Sequence, residues 1–276
     1  MSTPRPIHAA IQEISALPPP KPSGAFRILH FSDIHLGLMP RISQVFNKRF
    51  LGAVNHLFRR RHKLHPEYIG RLQQMLPALA PDLTVFSGDL SSVATPEELQ
   101  HAAEILRPFA EASDFILVPG NHDAYVPDAL PHLEHIGREL NSGRWAPGDL
   151  PVAYETHGLR FCLINAALPL SPLLSCGILS QEDQQRIDSL FSPGEMAIAI
   201  CHFPAFSRNG GDTGWRHGLR GEKYLQAKLR DKTFSLILSG HEHTPYIYRL
   251  ENGALQVCAG SLTLKGSYAV LDVARA

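Results

Sequence analysis

Residues 26–35 read Phe-Arg-Ile-Leu-His-Phe-Ser-Asp-Ile-His, a short apolar run that closes on acidic and imidazole side chains. A run of this length, flanked by a turn, predicts a buried strand, Phe26–Ser32, ending in a loop at Asp33. The same grammar recurs downstream. Leu83–Ser87 runs into Gly88-Asp89, and Phe115–Val118 into Gly120-Asn121-His122-Asp123. Between them, Pro96–Glu111 carries a helical pattern with proline at its start. Strand alternating with helix predicts an α/β layered fold whose polar loops gather at the carboxyl ends of the strands.

Working outward, further apolar runs fall at Phe161–Asn165, Met196–Cys201 and Phe234–Ser239. The second of these is followed by His202, and the third leads into Gly240-His241-Glu242-His243. Beyond them, Tyr246–Leu250, Ala254–Cys258 and Ser267–Val273 are short strand-like runs with glycines at 253 and 266, expected to form an antiparallel sheet. The expected organisation is one domain over 26–276, two sheets face to face with helices outside, and no internal repeat. Residues 1–25, with Pro18, Pro19, Pro20 and Pro22, are expected to be a flexible lead-in.

Composition narrows the class. The chain has 276 residues, 44% of them hydrophobic, with 26 basic and 26 acidic side chains. That balance disfavours a global pull toward nucleic acid or anionic lipid. Cys162, Cys176, Cys201 and Cys258 are scattered and contain no Cys-x-x-Cys pair, which argues against a disulfide framework or a thiolate zinc site. Three of them are expected to be small buried residues in strands. The first 24 residues lack the apolar core of a signal peptide, and no apolar run approaches the ~20 residues of a membrane helix. A cytoplasmic location is therefore expected.

Five strand ends thus present carboxylate, amide or imidazole ligands, the mixture that suits borderline divalent or trivalent ions such as manganese, iron or zinc. Asp-x-His and His-x-His converge on one point only where the intervening residue turns away, and the glycines at 88, 120 and 240 suit sharp turns or close backbone approach. Each motif alone is weak, since Gly-Asp is a common turn and a lone histidine is more often a core residue. All five in this order form a strong signal.

The series D-x-H, G-D, G-N-H-D, H, G-H-x-H over Phe26–His243 resembles the calcineurin-like metallophosphoesterases. The resemblance implies a four-layer α/β/β/α sandwich with a dinuclear centre. It implies one metal held by Asp33, His35, Asp89 and His243, and a second held by Asp89, Asn121, His202 and His241, with Asp89 bridging. A hydroxide shared by the ions would attack phosphorus, His122 would be the catalytic imidazole at the leaving group, and Asp123 would orient it. Many relatives extend the second block to G-D-x-x-D, whereas this chain continues Leu90-Ser91-Ser92. The missing aspartate is not a metal ligand in the family.

Substrate clues lie at 34–66, which contains no acidic residue but carries Arg41, Lys48, Arg49, Arg59, Arg60, Arg61 and Lys63. Phe46, Phe50, Val54 and Leu57 recur at helical spacing, so an amphipathic helix with a basic end is expected. It is either a face packed on the sandwich or a cap whose apolar side meets acyl chains or a membrane surface. Together with Arg216-His217-Gly218-Leu219-Arg220-Gly221 ahead of a helix near Glu222, this segment resembles the UDP-2,3-diacylglucosamine hydrolases of lipid A biosynthesis. That resemblance implies cleavage of a lipid-linked nucleotide sugar to lipid X and UMP at the inner membrane face, with Phe46, Phe50, Val54, Arg59, Arg60, Arg61, Arg216 and His217 in contact with substrate or membrane. A cyclic-nucleotide or other small phosphodiester hydrolase is the alternative. A nuclease or a non-catalytic scaffold is less well supported, because the charge is neutral and every expected ligand is present.

Overall fold

In the computed structural model, which describes residues 6–36, 63–171 and 174–274, the first apolar run is β2 (Ala25–Phe31), buried at every position. Burial on both faces explains why the run shows no polar alternation. β2 pairs in parallel with β3 (Leu83–Phe86), and β3 with β4 (Asp114–Leu117). On its other side β2 pairs antiparallel with β13 (Ser267–Ala274), and β13 with β1 (Ile7–Glu13). The sheet order is β1-β13-β2-β3-β4.

A second sheet of six strands runs β11 (Tyr246–Arg249), β12 (Leu255–Cys258), β10 (Phe234–Ser239), β8 (Ala197–Cys201), β6 (Leu159–Ile164), β5 (Val152–Thr156). Its four central strands are parallel and its two edge strands antiparallel.

Alternate residues of each strand divide between two cores. Phe26, Ile28, Leu83 and Val85 meet Phe161, Leu163, Ile198, Ile200, Leu236 and Leu238 between the sheets. The opposite faces, including Leu29, Phe31, Phe86 and Leu117, pack with α1 (Glu67–Leu79), α2 (Pro96–Ala112) and α3 (Leu130–Leu140). On the second sheet Cys162, Cys201 and Phe234 pack with Ile187 of α4 (Gln181–Leu190) and Leu225 and Leu229 of α5 (Glu222–Arg230). The result is the expected four-layer α/β/β/α sandwich. Each fully buried Leu, Ile or Phe contributes about 1.5–3 kcal/mol. Helix α2 begins where its proline predicted, held by a reciprocal capping box between Thr95 and Glu98. All four cysteines are free and buried, three of them in strands.

Two expectations are corrected. Residues 6–25 are not a flexible lead-in. Ile7, Ala9 and Ile11 alternate inward and make β1 an edge strand. The proline run is then pinned by the buried Arg27, whose guanidinium donates to the Pro19 and Pro20 carbonyls at 2.8 and 2.9 Å and forms a bidentate pair with Asp272 at 2.7 Å. A Pro-rich composition signals absence of helix, not absence of order. The three C-terminal strands do not share a sheet either. β11 and β12 join the six-stranded sheet, whereas α6 (Leu262–Lys265) turns the chain so that β13 crosses to the other.

The expected amphipathic cap helix, with Phe46, Phe50, Val54, Arg59, Arg60 and Arg61, lies outside the described residues. Both flanks of that segment are anchored beside β2. Leu36 bridges to Ser91, and the His65 N–H donates to the Thr263 carbonyl at 2.8 Å. Thr263 Oγ1 in turn donates to the Ile34 carbonyl at 3.0 Å.

Candidate metal centre

The carboxyl ends of β2, β3, β4, β8 and β10 meet at one rim of the sandwich, and backbone hydrogen bonds stitch their loops together. The Asp33 N–H donates to the Gly88 carbonyl at 2.9 Å, His35 N–H to Asp89 at 3.1 Å, and Gly240 N–H to His202 at 2.9 Å. Asp33, His35, Asp89, His241 and His243 all have left-handed backbone, with φ of 56°, 44°, 60°, 70° and 53°. Each such residue costs on the order of 1 kcal/mol or more, and their clustering marks a place where geometry outranks local comfort. Left-handed turns at both ends of Asp33-x-His35 and His241-x-His243 let alternate side chains aim at one point. Close approach is required at Gly120, where a Cβ would lie 2.5 Å from the Asp89 backbone nitrogen, 2.8 Å from its Cγ, and nearer still to Oδ1.

Two groups of ligand atoms result. Those of Asp33, His35, Asp89 and His243 all lie within 4.8 Å of one another, and so do those of Asp89, His202 and His241. Asp89 is common to both. In the first group His35 Nε2 and His243 Nε2 face each other at 2.9 Å, with Asp33 Oδ1 at 3.6 and 3.3 Å from them. In the second, His202 Nε2 is 3.5 Å from Asp89 Oδ2. The amide Oδ1 of Asn121 lies 3.0 Å from His241 Nδ1.

Asp33 Oδ1, Asp89 Oδ2 and His202 Nε2 are buried without a hydrogen-bond partner. Buried polar atoms are rarely left so, because each forgoes its hydration. The remaining atoms of these side chains are engaged. Ser32 Oγ and the His241 N–H donate to Asp33 Oδ2 at 2.5 and 3.0 Å, the His122 N–H donates to Asp89 Oδ1 at 2.8 Å, and His202 Nδ1 donates to the Ser87 carbonyl at 2.7 Å. Converging ligand atoms without hydrogen-bond partners, with the outer atoms of their side chains held, are the set that a pair of cations would satisfy.

The electrostatics agree. Burial would raise the Asp33 and Asp89 acids, yet both are held below the ordinary carboxylate range, Asp33 by the adjacent imidazoles of His243 and His35 and Asp89 mainly by the charges of His202 and His122. Burial likewise disfavours the His202 cation, but the Asp89 carboxylate overrides it and raises this imidazole to about 9. Burial and the His202 charge lower His241 to about 4.

His122 sits beside these groups, its ring 4.9 Å from His35, and its Nδ1 donates to the Ser92 carbonyl at 2.7 Å. Asp123 does not orient it, contrary to expectation. The Asp123 carboxylate turns inward beneath the Asp89 loop and accepts N–H bonds from Gly120, Asp89, Leu90 and Ser91 at 2.8–3.1 Å. Burial and the charge of Asp89 raise its acid to about 7. Asp123 therefore positions Asp89, and the carbonyl of Ser92, at the position where many relatives place aspartate, sets the His122 ring. Neither role has a sequence signature, since a backbone acceptor is supplied by any residue type. The hydroxyls of Ser261 and Thr263, which grip the Asp33 and Ile34 carbonyls, were missed for the same reason.

His217 reaches the site through its carbonyl, which lies against His241 Nε2, while its ring pairs with Ser175 Oγ. Arg216 lies with its guanidinium 5.0 Å over the Trp215 ring.

The Calcineurin-like phosphoesterase family model matches residues 26–245, and the chain belongs to that family. It is a metal-dependent phosphoester hydrolase with a dinuclear metal site. Among solved structures it is similar to a dimetal phosphatase from Danio rerio, with 14% identity and a TM-score of 0.62, over 91% of this chain and 96% of that one. A purple acid phosphatase from yellow lupin (Lupinus luteus) seeds is 15% identical with a TM-score of 0.50, over 89% of this chain and 45% of that one. No curated protein sequence matches.

Proposed function

We propose that this chain hydrolyses a phosphodiester or pyrophosphate bond of a small molecule at the Asp89-centred site, with His122 serving the leaving group. The convergence of Asp33 Oδ1, Asp89 Oδ2 and His202 Nε2 without partners carries the proposal. Asp33, His35, Asp89 and His243 would hold one cation, and Asp89, Asn121, His202 and His241 the other, manganese being the first to test and iron or zinc the alternatives. Bound cations supply Lewis-acid activation of water and neutralise phosphoryl oxygens. The Nδ1 proton of His122 is committed to Ser92, so a proton delivered to the departing oxygen travels through Nε2. Such general-acid assistance contributes typically ~10²–10⁴-fold.

A phosphodiester such as a cyclic nucleotide is the substrate class favoured here, because none of the described residues lining the space beside His122 is Lys, Arg, Asp or Glu. A second reading is UDP-2,3-diacylglucosamine cleaved to lipid X and UMP, by a protein peripheral to the inner membrane face. It is supported by the basic, apolar-striped sequence of 34–66 and by the anchoring of both flanks of that segment beside Asp33. No helix among the described residues is long and apolar enough to cross a membrane. Assays with Mn²⁺ on cyclic AMP, UDP-2,3-diacylglucosamine and single-stranded DNA separate the readings. Turnover of the lipid substrate alone, lost when Phe46, Phe50 and Val54 become Ser, would replace the phosphodiester reading with the second.

A further inference from the structure

Next to His122 lies a small cleft of about 100 Å³, open to solvent, that extends away from the metal ligands past Asn121. One wall is His122 itself with Tyr125, whose ring lies 5.6 Å from the imidazole and 9° from parallel. The facing wall is Leu168, Leu170, Leu174, Ser175 and Cys176. Asn121 closes the end toward Asp89.

This wall is built into the fold. The two-stranded pairing of β7 (Gly177–Ile178) with β9 (Leu219–Arg220) fixes it, and the Ser175 N–H donates to the Arg216 carbonyl at 3.1 Å. Ser175 Oγ is already engaged by His217 Nδ1 at 2.5 Å. Apart from His122 and Asn121, the described lining residues offer leucine, thiol and an aromatic face, and none of them is Lys, Arg, Asp or Glu. Leu168 is 45% exposed at the rim, where a bound apolar group would cover it.

We infer that this cleft holds the leaving group, and that the leaving group is an uncharged, flat or apolar alcohol. The inference deepens the phosphoesterase reading above and rests on it. During hydrolysis the P–O bond to that alcohol breaks, water supplies hydroxyl to phosphorus, and a proton from His122 Nε2 ends on the alcohol oxygen. An alcohol stacked on Tyr125 keeps its oxygen on the His122 side. A leaving group that ended in phosphate or carboxylate would find no Lys or Arg among the described lining residues to offset the hydration it gives up against the leucines.

The test uses full-length protein and two diesters that share an ethyl phosphate and differ only in the leaving phenol: ethyl 4-nitrophenyl phosphate and ethyl 3-carboxy-4-nitrophenyl phosphate. With Mn²⁺, kcat/KM should favour the neutral phenol by about tenfold or more. Leu168→Lys, at a half-exposed position that tolerates charge, should raise kcat/KM for the carboxylate ester about tenfold and lower it for the neutral one. Metal-free protein gives a second readout. Saturation transfer from protein to 4-nitrobenzyl alcohol should be strong for the wild type, weaker for Leu168→Lys, and absent for 4-carboxybenzyl alcohol with the wild type. Identical selectivity in wild type and variant, within twofold, overturns the assignment while leaving the phosphoesterase reading intact. Failure of the metal-loaded wild type to cleave either diester overturns both.

Discussion

Gly120→Ala asks whether the centre depends on the close approach of two loops. The added Cβ would stand 2.5 Å from the Asp89 nitrogen and 2.8 Å from its Cγ, where carbon contacts normally begin near ~3.5 Å. Relief requires the Asp89 side chain to move by about 1 Å, which breaks the 2.8 Å bond it accepts from the His122 N–H. A hydrogen bond to a charged group is worth about 1.5–3 kcal/mol and overpacking costs about 1–3 kcal/mol, so a total near 3 kcal/mol or above is expected. Because Asp89 belongs to both groups of ligand atoms, both metals should weaken together, by about 100-fold at 1.4 kcal/mol per decade. Gly70→Ala is the matched comparison. It lies within α1 with open space around its Cβ and should stabilise by about 0.5–1 kcal/mol. Urea unfolding with and without EDTA, plus metal titration calorimetry, reads both. A Gly120→Ala protein within 0.5 kcal/mol of wild type, with unchanged metal affinity, would refute the reasoning.

Three further outcomes are expected. His122→Ala should lower kcat ~10²–10⁴-fold while two metals remain by elemental analysis, because the bond to Asp89 comes from the His122 backbone and survives truncation; Asp89→Asn should lose metal and turnover together. His30 is buried with its Nε2 on Ser87 Oγ, and burial lowers it to about 3. A base depressed in the folded state leaves the unfolded chain binding more protons between pH ~6.5 and ~3, so stability falls as pH drops through that window, by an upper limit of about 5 kcal/mol. His30→Gln should flatten the acid limb of a urea-midpoint-versus-pH curve measured in EDTA, and an unchanged slope would exclude His30 as its source.

Phe26–Ser32, Leu83–Ser87, Phe115–Val118 and Phe234–Ser239 were legible as strands because burial on both faces leaves short, mostly apolar runs without polar alternation, each followed by a loop that brings Asp, Asn or His. The order of those polar ends along the sequence was therefore enough to indicate the layered fold and a two-metal site. The partners of those side chains were not legible. Whether Asp123 reaches His122 or the backbone of Asp89, and whether β13 joins β11 and β12 or crosses to β2, depends on contacts between segments distant in sequence, where backbone carbonyls and N–H groups act without regard to residue type. Likewise Pro19 and Pro20 are held in place because Arg27, folded into the interior opposite Asp272, has donors left over for their carbonyls.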